Sequence, residues 1–166
     1  MIAIVLAATL LSAEPETPNS YVNSDISLFS AGAAGGVRLA PEGFAGTVEA
    51  FVGGSYWHYI DPGGSAITFT GQLHGLFSGF RRAGPGATLG FGYMPASNTP
   101  AWQLDLGAFT DASPSLRVLP AVGLNIGLQV VFFRLLGIWR DGYEVHLMFG
   151  VDVGEALSLM RFLRGC

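Results

Sequence analysis

The chain contains no lysine, and all eight of its basic residues are arginine. Charged residues make up only 12% of it, against roughly 25% in an average soluble domain. A surface wetted on every side needs more charge than this. The formal net charge is −4, with the acids dispersed and no basic stripe. Nucleic-acid binding therefore has no electrostatic footing. The one cysteine is Cys166, which excludes an intramolecular disulfide and a cysteine-based metal site. Also missing is a clean run of about twenty apolar residues, the length a helix needs to cross a bilayer. The longest candidate, Val118–Phe133, is interrupted by Pro120, Gly123, Asn125, Gly127 and Gln129.

What is present is apolar and flexible. Half of the 166 residues are hydrophobic and 24 are glycine, a length that suits one domain. Ile2–Leu11 is an apolar run ending in Ser12-Ala13, followed by Glu14-Pro15-Glu16. It is too short to span a bilayer and fits the core of a secretory signal, residues 1–13, cleaved after Ala13. Residues 14–24 then read as a polar lead-in and residues 25–166 as the folded domain.

The dominant pattern after that is alternation. Side chains of a strand point to opposite faces in turn. In the stretch Tyr143–Val153, Tyr143, Val145, Leu147, Phe149, Val151 and Val153 make one apolar face. Glu144, His146, Met148, Gly150 and Asp152 make the other, which is mostly polar or small. The same pattern predicts strands over about 25–39, 44–60, 66–80, 87–94, 101–110 and 116–133, with 134–142 leading into the strand at 143. Pro41-Glu42-Gly43 and Asp61-Pro62-Gly63-Gly64 are turn signals. Gly53-Gly54 predicts a bulge or a point of close approach inside the second strand.

Repeated period-two segments separated by turns predict an all-β fold, an antiparallel up-and-down transmembrane β-barrel of eight strands. Seven strands would leave two open edges in lipid, and single-chain bacterial barrels have even strand counts. The eighth strand is expected at Ala156–Leu163. Glu155, Ser158, Arg161 and Arg164 recur every three positions, however. Residues 155–166 thus read either as the closing strand or as an amphipathic helical tail.

Tyr56, Tyr93, Trp102, Trp139 and Tyr143 fall, with Trp57 and Tyr59, on one rim of the expected hairpins. Amphipathic rings settle at bilayer interfaces, so this rim is expected to carry an aromatic girdle. With the N-terminus in the periplasm, it is the periplasmic rim. The opposite rim offers only Phe44, Phe80 and Phe109.

This pattern resembles the small eight-stranded outer-membrane barrels, the class of OmpX and the OmpA transmembrane domain. The resemblance covers nearly all of residues 14–166 and rests on periodicity, without a sequence motif. It implies a place in the bacterial outer membrane, insertion by the outer-membrane assembly machinery, membrane lipid as a partner, and a closed or very narrow lumen. Phe162 is followed by Leu163-Arg164-Gly165-Cys166, so the terminal aromatic of that class is displaced. No cofactor or metal is indicated; an envelope protein or a second copy of the chain is a further expected partner.

The polar face gathers Glu49, Gln72, His74, Asp105, Arg117, Asn125, Gln129, Glu144, His146 and Asp152. In a barrel these share one lumen, where an unpaired charge is costly. A structural network is the expected use, with Arg117 and Arg38 answering the acids. A catalytic use would take His74, His146 and Glu144 as acid, base or metal ligands. Glu144 and His146 are two apart on one face, but no third ligand stands at a diagnostic spacing. The expected function is a non-enzymatic structural, accessory or narrow-pore barrel. The alternatives are a lipid-modifying barrel enzyme and a secreted lipocalin-like binding barrel.

Overall fold

The computed structural model describes residues 25–79, 84–96, 99–111, 116–128, 130–139 and 142–165, with the side chains of residues 159 and 161–165 left aside. The expected signal segment and lead-in, residues 1–24, lie outside these, as do Gln129 and Phe80. The strands are β1 (Asp25–Ala40), β2 (Gly43–Tyr59), β3 (Ala66–Ser78), β4 (Pro85–Met94), β5 (Ala101–Asp111), β6 (Arg117–Leu128), β7 (Val131–Trp139) and β8 (Tyr143–Asp152). Helix α1 (Val153–Gly165) comes last. Each strand pairs antiparallel with the next, and β1 pairs with β8, so the sheet closes on itself. Closure gives every strand two neighbours, although the longer strands run past shorter ones at the rims. The fold is thus the all-β, eight-stranded antiparallel barrel that the alternation predicts.

Burial alternates along the strands, with Glu49, Phe51, Ser55 and Trp57 turned inward on β2 and Val48, Ala50, Val52 and Tyr56 outward. The β2–β3 turn is built as the sequence requires. The Gly64 N–H donates to Asp61 O at 3.2 Å, Gly64 has φ of 80°, and the Ser65 N–H donates to Asp61 Oδ1 at 3.1 Å. Gly53-Gly54 forms no bulge, because β1 and β2 pair residue for residue through it. It is a point of close approach instead: a Cβ on Gly53 would lie 2.0 Å from Gly71 O.

Two expectations fail together. The segment expected as one strand over 116–133 contains the whole of β6, a two-residue connection and the start of β7. Nothing in Leu128–Val131 carries glycine or proline, and apolar residues flank the connection on both sides. β7 faces the other way from the expected parity, with Phe133, Leu135 and Trp139 exposed and Arg134, Leu136 and Ile138 buried. The 143–152 segment is consequently the eighth strand. Ala156–Leu163 does not supply it, being part of α1.

The additional strand reverses the direction of every segment after it. The chain enters β1 and leaves β8 at one rim, termed the terminal rim; the other is the distal rim. Tyr56, Tyr93 and Trp102 lie at the terminal rim, Tyr93 opposite Trp102 in register with ring centroids 6.4 Å apart. Trp139 and Tyr143 pair across the β7–β8 hairpin at the distal rim, so they do not join the others as expected. Phe44 stands outward on the distal rim too, while Phe109 turns inward and is 1% exposed. Aromatic residues therefore mark both rims.

The interior is layered. Leu28, Trp57, Ala66 and Met94 pack beneath the terminal rim. A polar layer centred on Glu49 and Arg134 comes next. Below it Leu76, Phe109, Leu119, Leu136, Ile138 and Met148 form an apolar plug with Ala34 and Ala121. Arg38, Thr47, Glu144 and His146 occupy the distal end.

Candidate functional site

The polar layer is assembled from six strands, β2 to β7. Arg134 on β7 donates from Nη1 to Glu49 Oε2 at 2.7 Å, from Nη2 to Gln72 Oε1 at 3.0 Å and from Nε to Asn125 Oδ1 at 2.6 Å. Its Nη2 is 3.7 Å from Asp105 Oδ2. Its guanidinium also lies 5.5 Å from the Phe51 ring centre and 5.3 Å from that of Phe132. Planar delocalised charge, fork geometry and aromatic contact suit arginine and not a point charge. His74 Nδ1 lies 2.8 Å from Glu49 Oε1, and its Nε2 is 2.8 Å from the Thr88 hydroxyl. Asn125 donates to Asp105, and Gln103 to the other oxygen of the same carboxylate. Glu49, Gln72, His74, Asp105 and Asn125, all expected to share the lumen, do meet here.

The cation that unites them differs from the expected one. Arg117 opens β6 at the distal rim, exposed and opposite Asp111 in register. It does not answer these acids; Arg134 does. Alternation could have found Arg134 only with β7 recognised, since its position otherwise reads as a connection.

At the distal end, Arg38 donates to both oxygens of Glu144, from Nε at 2.8 Å and from Nη2 at 2.9 Å, and also binds Glu42. His146 Nδ1 lies 3.1 Å from the Thr47 hydroxyl, and Nε2 is 3.6 Å from Glu144 Oε2. Arg38 thus has the acid-answering role expected of it. Thr47, His146 and Glu144 have the order of a nucleophile, base and acid. The Thr47 hydroxyl, however, donates to Phe77 O at 3.2 Å, and Arg38 occupies the carboxylate. His74 belongs to the other network, so the three groups of the catalytic reading do not converge.

The third place is the mouth under the terminal rim. Asp152, the last residue of β8, accepts from Ser30 Oγ, from the Ala31 N–H at 3.1 Å and from the Glu155 N–H at 2.8 Å. The last contact makes Asp152 the N-cap of α1. Glu155 turns into the barrel and accepts from Ser55 Oγ at 2.8 Å, while Trp57 Nε1 donates to the same Ser55 oxygen at 3.1 Å. Burial, with the Asp152 charge adding to it, pushes the Glu155 carboxyl up to about 7. Glu155 has no place among the lumen residues expected from alternation, because α1 rather than a strand delivers it.

A cavity of about 80 Å³ lies here, lined by Ser30, Gln103, Arg134, Asp152 and Glu155 among others. Pockets for small ligands run about 300–1,000 Å³, so this one suits a few waters. Among the described residues, no group of three or more histidine, cysteine, aspartate or glutamate side chains is arranged to hold a metal ion. Comparison with protein-family models, curated proteins and solved structures finds no match for this chain.

Proposed function

We propose that the protein is an integral barrel of the bacterial outer membrane with a closed, ion-pair-filled lumen and a structural or accessory role. The observation that carries this reading is the polarity of the wall. Among the described strand residues, the acidic or basic side chains at outward parity are those of Asp25 and His58, which contact each other at 2.7 Å on the terminal rim; Arg117, of inward parity, is exposed where β6 begins at the distal rim. Elsewhere the outward face presents residues such as Val48, Leu73, Leu89, Leu106 and Phe133, all more than half exposed. The inward face meanwhile holds Glu49, Asp105 and Arg134 at 0–4% exposure. A water-soluble lipocalin-like barrel has the opposite arrangement. Lipid as the outer solvent explains both halves of the inversion.

Dimensions agree. β4 to β8 run nine to twelve residues, and a tilted membrane strand needs about nine to eleven. Aromatic residues at both rims match the two girdles of such barrels. On this reading the protein resembles the OmpX and OmpA-transmembrane-domain class and is inserted by the outer-membrane assembly machinery. The apolar plug argues for a structural role over a narrow pore, and the occupied Thr47 hydroxyl and Glu144 carboxylate argue against a lipid-modifying enzyme.

Membrane fractionation with heat-modifiable gel mobility tests the placement. The chain is expected in the outer-membrane fraction, extracted only by detergent and shifted in mobility on boiling. Release by salt or alkali without detergent overturns the reading. Purified protein in planar bilayers is expected to show no steady conductance.

A further inference from the structure

β8 is shorter than the strand it closes onto. Its last pairing is Asp152 with Gly32, so residues 25–31 of β1 continue past it with β2 on one side and no strand on the other. Helix α1 covers that stretch. The Phe29 N–H donates to Ser158 Oγ at 3.2 Å, and the Ala31 N–H to Asp152 at 3.1 Å. A Cβ on Gly154 would lie 2.4 Å from Ala31 N, so the helix start lies directly against the strand backbone. Val153 and Leu157 are exposed on the outside, whereas Glu155 and Ala156 are buried. The first turns of α1 thus complete the wall, and the acids that fasten them, Asp152 and Glu155, line the cavity behind.

The geometry points to α1 being a pH-responsive side panel of the barrel, which leaves the β1 edge when Glu155 and Asp152 are both charged and opens the mouth cavity sideways. Among the described residues, neither acid has a salt-bridge partner. Asp152 is satisfied by Ser30, Ala31 N–H and Glu155 N–H, and Glu155 by Ser55. The titratable groups around them offer little relief. From β7, Arg134 lines the same cavity but donates to Glu49, Gln72 and Asn125. Asp105 of β5 is held by Asn125 and Gln103. Tyr59 of β2 packs in the apolar cluster beneath the rim. Asp25 of β1 and His58 of β2 face outward and pair with each other. Two like charges in a desolvated mouth repel, and moving the helix out rehydrates one of them. That the opening faces lipid rests on the membrane reading; that the panel moves does not.

Amide hydrogen exchange on the full chain in detergent micelles reads the motion, with rates corrected for intrinsic pH dependence. Protection of Phe29 and Ala31 is expected to fall on the order of 50-fold from pH 5 to pH 8, while Leu89 and Leu106 in the opposite wall stay constant. In Glu155→Gln the Phe29 and Ala31 protection should be nearly flat with pH. Flat protection in the wild type overturns the proposal whatever the variant does, and so does an undiminished pH dependence in Glu155→Gln. A second measurement uses Trp57 as the single tryptophan, in a Trp102→Phe, Trp139→Phe background in vesicles. Lipid-borne bromine should quench it at pH 8 and much less at pH 5. Equal quenching at both pH values removes the sideways opening. Failure of the membrane reading would show separately, as detergent-free extraction.

Discussion

Arg134 and Glu49 stand 85 residues apart in the chain and 2.7 Å apart in the lumen, both almost wholly buried. Their contact ties β2 to β7, strands that are not neighbours in the sheet. A pair across the lumen links directly two strands that backbone hydrogen bonds connect only through their neighbours. Removing one partner leaves the other as an uncompensated buried charge, which costs about 3–5 kcal/mol, whereas replacing both with apolar residues is often neutral. Arg134→Ala is therefore expected to lower stability by about that amount in denaturant unfolding from micelles. Arg134→Leu combined with Glu49→Leu should recover much of the loss. Equal damage from the single and double variants would show that packing around Phe51 and Phe132, and not charge pairing, sets the cost.

The lipid-facing reading makes a position-dependent prediction. Leu106, mid-strand on β5 and 60% exposed, should cost about 2–4 kcal/mol when changed to arginine in a bilayer, and Tyr143→Arg at the rim at most about 1 kcal/mol. Folding into vesicles against denaturant measures both. A water-exposed wall would tolerate the two changes alike.

Close approach and open space at glycine separate in the same way. Gly53→Ala forces a methyl against Gly71 O, a backbone atom that cannot step aside, while Gly46→Ala meets nothing within 4 Å. The first should lose about 1–3 kcal/mol and the second almost nothing, as read by thermal loss of the unboiled gel band. A silent Gly53→Ala would mean that β2 and β3 separate more easily than their pairing suggests.

Glu155 gives the global pH dependence a sign. Its carboxyl is raised from 4.5 to about 7 by burial first and by Asp152 second. A raised acid contributes stability that is fully present below its unfolded value and is lost as the pH climbs through the folded one. Wild-type stability should fall by roughly 3 kcal/mol from below pH 4.5 to above pH 7 on this account. Glu155→Gln should remove most of that slope. A wild-type minus variant difference that stays constant over this range would contradict the assignment.

Strands β1 to β5 are legible because polarity switches every residue and glycine or proline punctuates the turns. The β6–β7 connection is not, since Leu128 and Val131 are apolar, no turn former lies between them, and alternation continues across with its phase shifted. That one hidden turn also hid Arg134, gave its role to Arg117 and moved Trp139 and Tyr143 to the wrong rim. The helix had a local signature in Asp152 followed three residues later by Glu155, the spacing of an N-cap and its acidic third position. Apolar parity could not show it, because the side chains of Asp152 and Glu155 meet the barrel interior from different kinds of element. The polar partners within strands were readable by parity; which cation met which acid depended on strand count.

The hairpin between Leu128 and Val131 also fixes the sidedness of the molecule. On the membrane reading, seven crossings would bring the two ends of the barrel out on opposite faces of the layer. With eight, β1 begins and β8 ends at the same rim, which on the membrane reading opens into a single compartment. The acidic mouth, the side panel and both approaches to the barrel therefore sample the same pH.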